Sequence, residues 1–291
     1  MRWYANAKEV GGGGGGTVVL AHGYGANQTL WDKLLPALSQ HHRVILFDWD
    51  FTGEREEEEE EEAAERYTFG RFADDLIALM DDKGVRGAVV VGHSMSAMVA
   101  CIASARRPDL FAHLVLLCAS PRYLDSPSEG YVGGFDRASI DAMLAAMESD
   151  FGAWVRGFVP NAAGADPSAT AELEQSFLSM HPRVALEVAR MIFLCDQRGA
   201  LDAVAAPCTV VQVPDDFAAA PAVAEYMRGR MKRAAEVEVV VIDSVGHFPQ
   251  LVAPQQLLAV LQRVLQRAAA ANEERAAAAE EEADGGIDVT A

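Results

Sequence analysis

Ala88-Val89-Val90-Val91-Gly92-His93-Ser94-Met95-Ser96-Ala97-Met98 is the stretch on which the fold turns. Its β-branched run, Ala88–Gly92, has the composition of a buried strand. From Met95 to Arg106 the spacing predicts a helix. Between them stands a serine flanked by small residues. A sharp strand–turn–helix bend would push the Ser94 Oγ out over the sheet edge, as in a nucleophile elbow. The flanking positions must be small, because the helix packs close against the strand. The usual pattern is G-x-S-x-G; here Ser96 takes the place of the last glycine. The plain alternative is a serine that only caps a helix.

Working outward, strands and helices alternate. Buried strands are predicted at Thr17–Ala21, Arg43–Asp48, Ala88–Gly92, Leu114–Ser120, Cys208–Val213 and Val237–Asp243. Helical periodicity fills Leu30–Leu38, Arg71–Asp82, Met95–Arg106, Ala222–Met231 and Pro254–Gln266. That alternation predicts an α/β fold with a mostly parallel sheet covered on both faces. The rhythm breaks between Pro121 and Asp202. Helical stretches at Ser139–Ser149, Phe151–Phe158, Ser168–Met180 and Arg183–Leu194 stand there without a strand. An inserted helical block of this kind is expected to cap the carboxyl edge of the sheet, where open α/β sheets bind ligands.

The 291 residues suffice for one large α/β domain with a full core, or for two small ones. The net charge of −19 is concentrated in two segments. Glu54 to Glu65 holds nine Glu and one Arg, and is read as a solvated acidic surface loop; 267–291, with seven acidic residues and two Arg, is read as a disordered tail. Residues 1–16, ending in six glycines, read as a flexible N-terminus. What is left of the charge is ordinary and includes no basic groove, which argues against nucleic acid as a partner. No apolar run approaches the roughly 18–20 residues of a bilayer span, so no membrane partner is expected. Cys101, Cys118, Cys195 and Cys208 show no C-x-x-C spacing and are expected to be reduced thiols, which fits cytosol or nucleus.

Three further sites complete a constellation. Ala21-His22-Gly23-Tyr24-Gly25 follows the first predicted strand, and its glycines let a backbone N–H face the serine. The backbone N–H groups of Tyr24 and Met95 are the candidate oxyanion donors. Val245-Gly246-His247-Phe248 follows the last strand. Of the seven histidines only His247 occupies the place of a general base in the chain order Ser…Asp…His. The acid should come from the loop after Cys208–Val213, where Asp215 and Asp216 both stand; Asp216 is preferred, to hold His247 in its tautomer. No metal-ligand spacing and no phosphate-cradling lysine loop occurs, so neither metal nor cofactor is expected.

These motifs resemble the strigolactone/karrikin-receptor family of plant α/β-hydrolases. The matching stretches are Ala21 to Trp31, Val91 to Met98, Arg107 to Phe111, Ala119-Ser120-Pro121-Arg122-Tyr123, Gly133-Gly134-Phe135 and Gly246 to Gln250. The phrase Leu46-Phe47-Asp48-Trp49-Asp50-Phe51-Thr52-Gly53 is most similar to the family's third, Dwarf-fourteen-like-two branch. The resemblance implies an α/β-hydrolase fold with an inserted four-helix, V-shaped cap. It also implies slow hydrolysis of a butenolide or strigolactone-like lactone by Ser94, His247 and an aspartate. By position it would line the apolar pocket with Tyr24, Tyr123, Phe135, Trp154, Phe158, Phe177, Ile192 and Phe193. It further implies hormone signalling through an F-box protein and a repressor. The acidic run and an acid loop one residue long of the usual spacing depart from the family pattern. The alternatives are a non-catalytic receptor or ligand sink, and a general metabolic carboxylesterase.

Overall fold

The computed structural model describes residues 4–53 and 67–285, with side chains through Glu274. The acidic run Glu54 to Glu65 lies outside the described residues. Seven strands form one sheet: β1 (Tyr4–Gly11), β2 (Thr17–Ala21), β3 (Arg43–Trp49), β4 (Ala88–His93), β5 (Phe111–Leu117), β6 (Cys208–Gln212) and β7 (Val237–Val241). Their order is β1-β3-β2-β4-β5-β6-β7, and only β1 runs antiparallel to its neighbour. Every residue of β4 and β5 is buried, as a strand covered on both faces must be. Helices α1 (Leu35–Ser39), α2 (Phe69–Asp82) and α3 (Met95–Arg106) follow β2, β3 and β4. From β2 the chain steps out to β3, then returns to the other side of β2 as β4. The loops after β2 and β4 therefore leave the sheet side by side, at the point where open α/β sheets form their ligand crevice.

Between β5 and β6 stand α4 (Arg137–Ser149), α5 (Phe151–Ala162), α6 (Pro167–Leu178) and α7 (Pro182–Phe193). Aspartates start three of them. Asp136, Asp150 and Asp166 accept hydrogen bonds from the backbone N–H groups of Ser139, Ala153 and Ala169 at 2.7–2.8 Å. α5 passes through Pro160 to Ala162, beyond the expected end at Phe158; a proline near a helix end sacrifices one backbone bond and the turn survives it. The block docks on the loops at the carboxyl ends of the strands. Tyr24 Oη donates to Ala185 O on α7 at 2.9 Å, and the His247 N–H donates to Ala162 O on α5 at 2.8 Å. The four helices thus lie over the crevice. Asp150→Ala is expected to lower stability by about 1 kcal/mol, the ordinary worth of an N-cap. A thermal melt checks it as a fall of roughly 2–4 °C.

Three further segments differ from expectation. Residues 4–11 of the expected flexible N-terminus form β1, paired with β3 from Tyr4↔Trp49 to Gly11↔Arg43. This edge strand carries only isolated apolar residues, so no apolar run marks it, yet its backbone completes the sheet. Helix α8 (Pro221–Arg230) stands between β6 and β7, and α9 (Pro249–Val252) and α10 (Pro254–Gly285) follow β7. α10 continues through most of the segment expected to be a disordered tail. Its Leu257, Leu261, Val264 and Leu265 are buried and nucleate it, and the Ala/Glu composition beyond favours helix over coil. The predicted helix Leu30–Leu38 is instead a 3₁₀ turn, Gln28–Trp31, followed by the short α1. Among the described residues no helix is long and apolar enough to cross a membrane.

Three buried histidines lie in this core: His22, His93 and His113. Burial holds His22 and His113 down at about 4 and His93 well below its ordinary value. An unfolded chain would bind those protons near 6.5. The stability these groups contribute is therefore complete above about pH 6.5 and lost as pH falls toward 4. At pH 5 the loss is about 2 kcal/mol each for His22 and His113. Denaturant unfolding at pH 7 and pH 5 measures it; equal midpoints at the two pH values would contradict the assignment.

Candidate active site

Ser94 sits between β4 and α3 with φ 53° and ψ −116°, a conformation that only a tightly determined turn sustains in a non-glycine residue. The Ser94 N–H donates to Leu117 O at 2.8 Å, and Ser94 O accepts from the Ala97 N–H at 3.0 Å. Gly92 is obligatory here: a Cβ on it would lie 2.5 Å from Ser96 O and 2.8 Å from Ala97 Cα. Ser94 is 7% exposed, so the hydroxyl is largely withdrawn from bulk water.

His247 follows β7 and reaches back to the elbow. Its Nε2 is 2.8 Å from Ser94 Oγ. Its Nδ1 lies 2.8 Å from Asp216 Oδ2 and 2.9 Å from Oδ1. The Asp216 carboxylate also accepts from the N–H groups of Ala218 and Ala219 at 2.9 and 3.1 Å. Asp216 is thus anchored from both sides, and it accepts a hydrogen bond from Nδ1–H, which keeps the proton on Nδ1 so that Nε2 presents its lone pair to the serine. Asp215 is exposed and serves through its backbone: its carbonyl takes the Gly246 N–H at 3.0 Å, tying the acid loop to the histidine loop. Of the two aspartates, the structure brings Asp216 to His247.

The loop after β2 runs hard against the elbow. A Cβ on Gly23 would meet His93 Nδ1 at 2.8 Å and Ser94 Cβ at 3.1 Å. The Tyr24 backbone is therefore brought to the serine. Met95 opens α3, and its N–H has no carbonyl one turn earlier to bond within the helix. Both expected oxyanion donors flank Ser94 by position. Gly25 keeps the loop open: at φ 74° its Cβ would fall 2.0 Å from the Phe177 ring.

Two groups of aromatic rings bracket the site. Tyr123, Phe135 and Phe193 form one, with centroids 4.9–6.3 Å apart; the Tyr123 hydroxyl comes within 3.5 Å of Ser94 Oγ. Burial pushes that phenol well above its usual range, so it stays protonated. Tyr24, Trp154, Phe158 and Phe177 form the other. Ile192 is buried on α7 one position before Phe193, outside these ring contacts. Two neighbours were not singled out in the sequence. Phe217, the residue after the acid, stacks edge-on against Phe158 at 5.3 Å and His247 at 6.2 Å, joining the cap to the catalytic loop. Cys118, directly after β5, has its Sγ within 4.8 Å of the Asp216 carboxylate, and burial raises its thiol well above the ordinary value. Aromatic placement directly after an aspartate pair was the available signal for Phe217; Cys118 offered none, being one more small residue in an apolar run.

Among the described residues, one trio of potential metal ligands lies close together: Cys118, Asp216 and His247, with donor atoms within 4.8 Å. Its imidazole and carboxylate already bond each other, so the geometry is that of a hydrogen-bonded relay rather than a vacant cage. A hydroxyl, an imidazole and a carboxylate in line, beside the backbone N–H groups of Tyr24 and Met95, equip the site for acyl transfer through a serine.

The family of the alpha/beta hydrolase fold matches residues 16–254. The chain is 40% identical over 258 residues to strigolactone esterase D14 of Arabidopsis thaliana, covering 88% of this chain and 94% of that one. It is 39% identical over 255 residues to karrikin insensitive 2 receptor CA of Petunia hybrida, covering 87% and 92%. Among solved structures, a hydrolase from Oleispira antarctica superposes with a TM-score of 0.82 at 27% identity over 89% of this chain and 94% of that one. The chain belongs to the α/β-hydrolase family, in the group that holds the strigolactone esterases and karrikin receptors.

Proposed function

We propose that this protein is a serine hydrolase of low turnover that binds a butenolide or strigolactone-like lactone beneath its helical cap and opens it. The observation that carries the reading is the unbroken relay from Ser94 Oγ through His247 to Asp216, with contacts of 2.8–2.9 Å. Ser94 Oγ attacks the ester carbonyl carbon as its proton passes to His247 Nε2. The oxyanion that forms is held by the Tyr24 and Met95 N–H groups. Collapse breaks the ester C–O bond, and His247 returns the proton to the leaving oxygen. Water, deprotonated by His247, then releases the acyl group from Ser94.

The apolar, aromatic lining supports an apolar lactone as the ligand, and the names of the relatives point to the same chemical class. Enclosure by the cap also favours slow product release, which suits a hormone sensor in which ligand moves the cap. On the same grounds of resemblance we assign the chain to the Dwarf-fourteen-like-two branch, with an F-box protein and a repressor as partners. The four cysteines are free thiols, which supports residence in the reducing cytosol and nucleus.

Differential scanning fluorimetry with a butenolide, on wild type and Ser94→Ala, tests the reading. Binding alone should stabilise both proteins to a similar degree, and a further melting shift present only in wild type is expected for a response tied to chemistry. The same shift in both would indicate a binding module with an optional triad. No shift in either, with fast turnover of simple esters, would identify a metabolic esterase.

A further inference from the structure

Ser96, which stands where the elbow pattern has glycine, belongs to a buried cluster that touches none of the reacting atoms. Its Oγ donates to the His22 carbonyl at 2.5 Å and accepts from the Trp49 indole N–H at 2.9 Å. The same indole N–H also reaches the His22 carbonyl at 3.1 Å. The His22 ring is fully buried and both its nitrogens are engaged. Nε2 lies 2.9 Å from the Trp49 backbone N–H, which can only donate, so Nε2 accepts. Nδ1 lies 2.8 Å from the Gly23 carbonyl, which can only accept, so Nδ1 carries the proton. The tautomer follows from the two partners alone. The low proton affinity of this ring keeps it neutral at working pH.

The Gly23 carbonyl is one end of a peptide unit whose other end is the Tyr24 N–H. That peptide bond is trans, so the two point in opposite directions across one plane. Whatever grips the Gly23 oxygen therefore aims the Tyr24 hydrogen. The preceding unit is gripped too, through the His22 carbonyl. Two consecutive peptide planes are thus clamped from the β3 side by Trp49 and from the elbow helix by Ser96.

We propose that His22, Ser96 and Trp49 are positioning residues that pre-aim the Tyr24 N–H at the developing oxyanion, with the His22 Nδ1–H to Gly23 O bond as the decisive contact. The proposal rests on the serine-hydrolase reading above. It explains the serine at position 96: the hydroxyl that replaces the usual glycine joins the nucleophile's own helix to the oxyanion loop.

Two isosteres separate aim from packing. Asn places its amide N–H where His Nδ1 stands, so His22→Asn keeps the donor to Gly23 and loses the acceptor for Trp49. Gln places its amide oxygen where Nε2 stands, so His22→Gln keeps the acceptor and loses the donor. Each variant loses one ring and one hydrogen bond. With a fluorogenic butenolide, His22→Gln is expected to lower kcat at least tenfold, toward the roughly 10²–10³-fold cost of a lost oxyanion donor, with KM within about twofold. His22→Asn should stay within about fivefold of wild-type kcat. Equal losses in the two variants, or wild-type kcat in His22→Gln, would overturn the proposal. Should either variant fail to fold, Ser96→Ala decides: a kcat loss of about threefold or more at unchanged KM supports the clamp, and wild-type kcat overturns it. Wild-type turnover that Ser94→Ala abolishes, run alongside, shows that the hydrolase reading stands whichever way the clamp falls.

Discussion

Ser94→Ala is expected to reduce butenolide hydrolysis to the uncatalysed background, a loss on the order of 10⁶-fold where the assay range allows it. Among the described residues the serine hydroxyl is the nucleophile the relay serves: His247 Nε2 is 2.8 Å from it. Removing Oγ leaves His247 and the oxyanion donors in place. Ligand binding should therefore persist with a dissociation constant within a few-fold of wild type. Steady-state turnover together with equilibrium binding measures both. Loss of binding equal to the loss of turnover would mean that the substitution had damaged the pocket rather than the chemistry.

Asp216→Asn is expected to lower turnover by about 10⁴-fold, whereas Asp215→Asn should stay within about threefold of wild type. The reason is the tautomer. An amide at position 216 can turn its NH₂ toward His247 Nδ1, which then becomes the acceptor. The ring proton moves to Nε2, where it faces Ser94 Oγ as a donor and cannot accept the serine proton. The N–H groups of Ala218 and Ala219 bond Oδ1 and favour an orientation that retains an oxygen there. At position 215 only the backbone carbonyl is used, and the exposed side chain is free to change. kcat/KM for the two variants, at one pH, checks the contrast. Comparable losses would show that the acid loop acts as a whole rather than through one carboxylate.

The elbow, the histidine loop and the oxyanion turn were legible because each carries its own local signal: a β-branched run, then small residues, then a functional side chain. The strands of the sheet interior were legible for the same reason. β1 was not, because an edge strand needs only backbone partners and its side chains are mostly exposed. Asp215 and Asp216 are chemically identical neighbours. What separates them is the bridge from Asp215 to Val245, a contact between loops 30 residues apart that no local pattern records. The helical extension of α10 was not legible because the tail has no apolar face of its own, and helix growth from a packed nucleus depends on residues earlier in the chain. The resemblance, rather than periodicity, supplied the pocket. Helical spacing cannot tell the face of α5 that carries Trp154 and Phe158 toward the site from one that packs elsewhere.

Intact-mass measurement of the protein quenched during turnover of a butenolide probe tests the serine chemistry most directly. The expected product is an acyl adduct of the mass of the probe's acyl fragment, mapping to the peptide that contains Ser94 and absent from Ser94→Ala. In Asp216→Asn it should form on a far slower time course. An adduct on another residue, or turnover undiminished in Ser94→Ala, would contradict it.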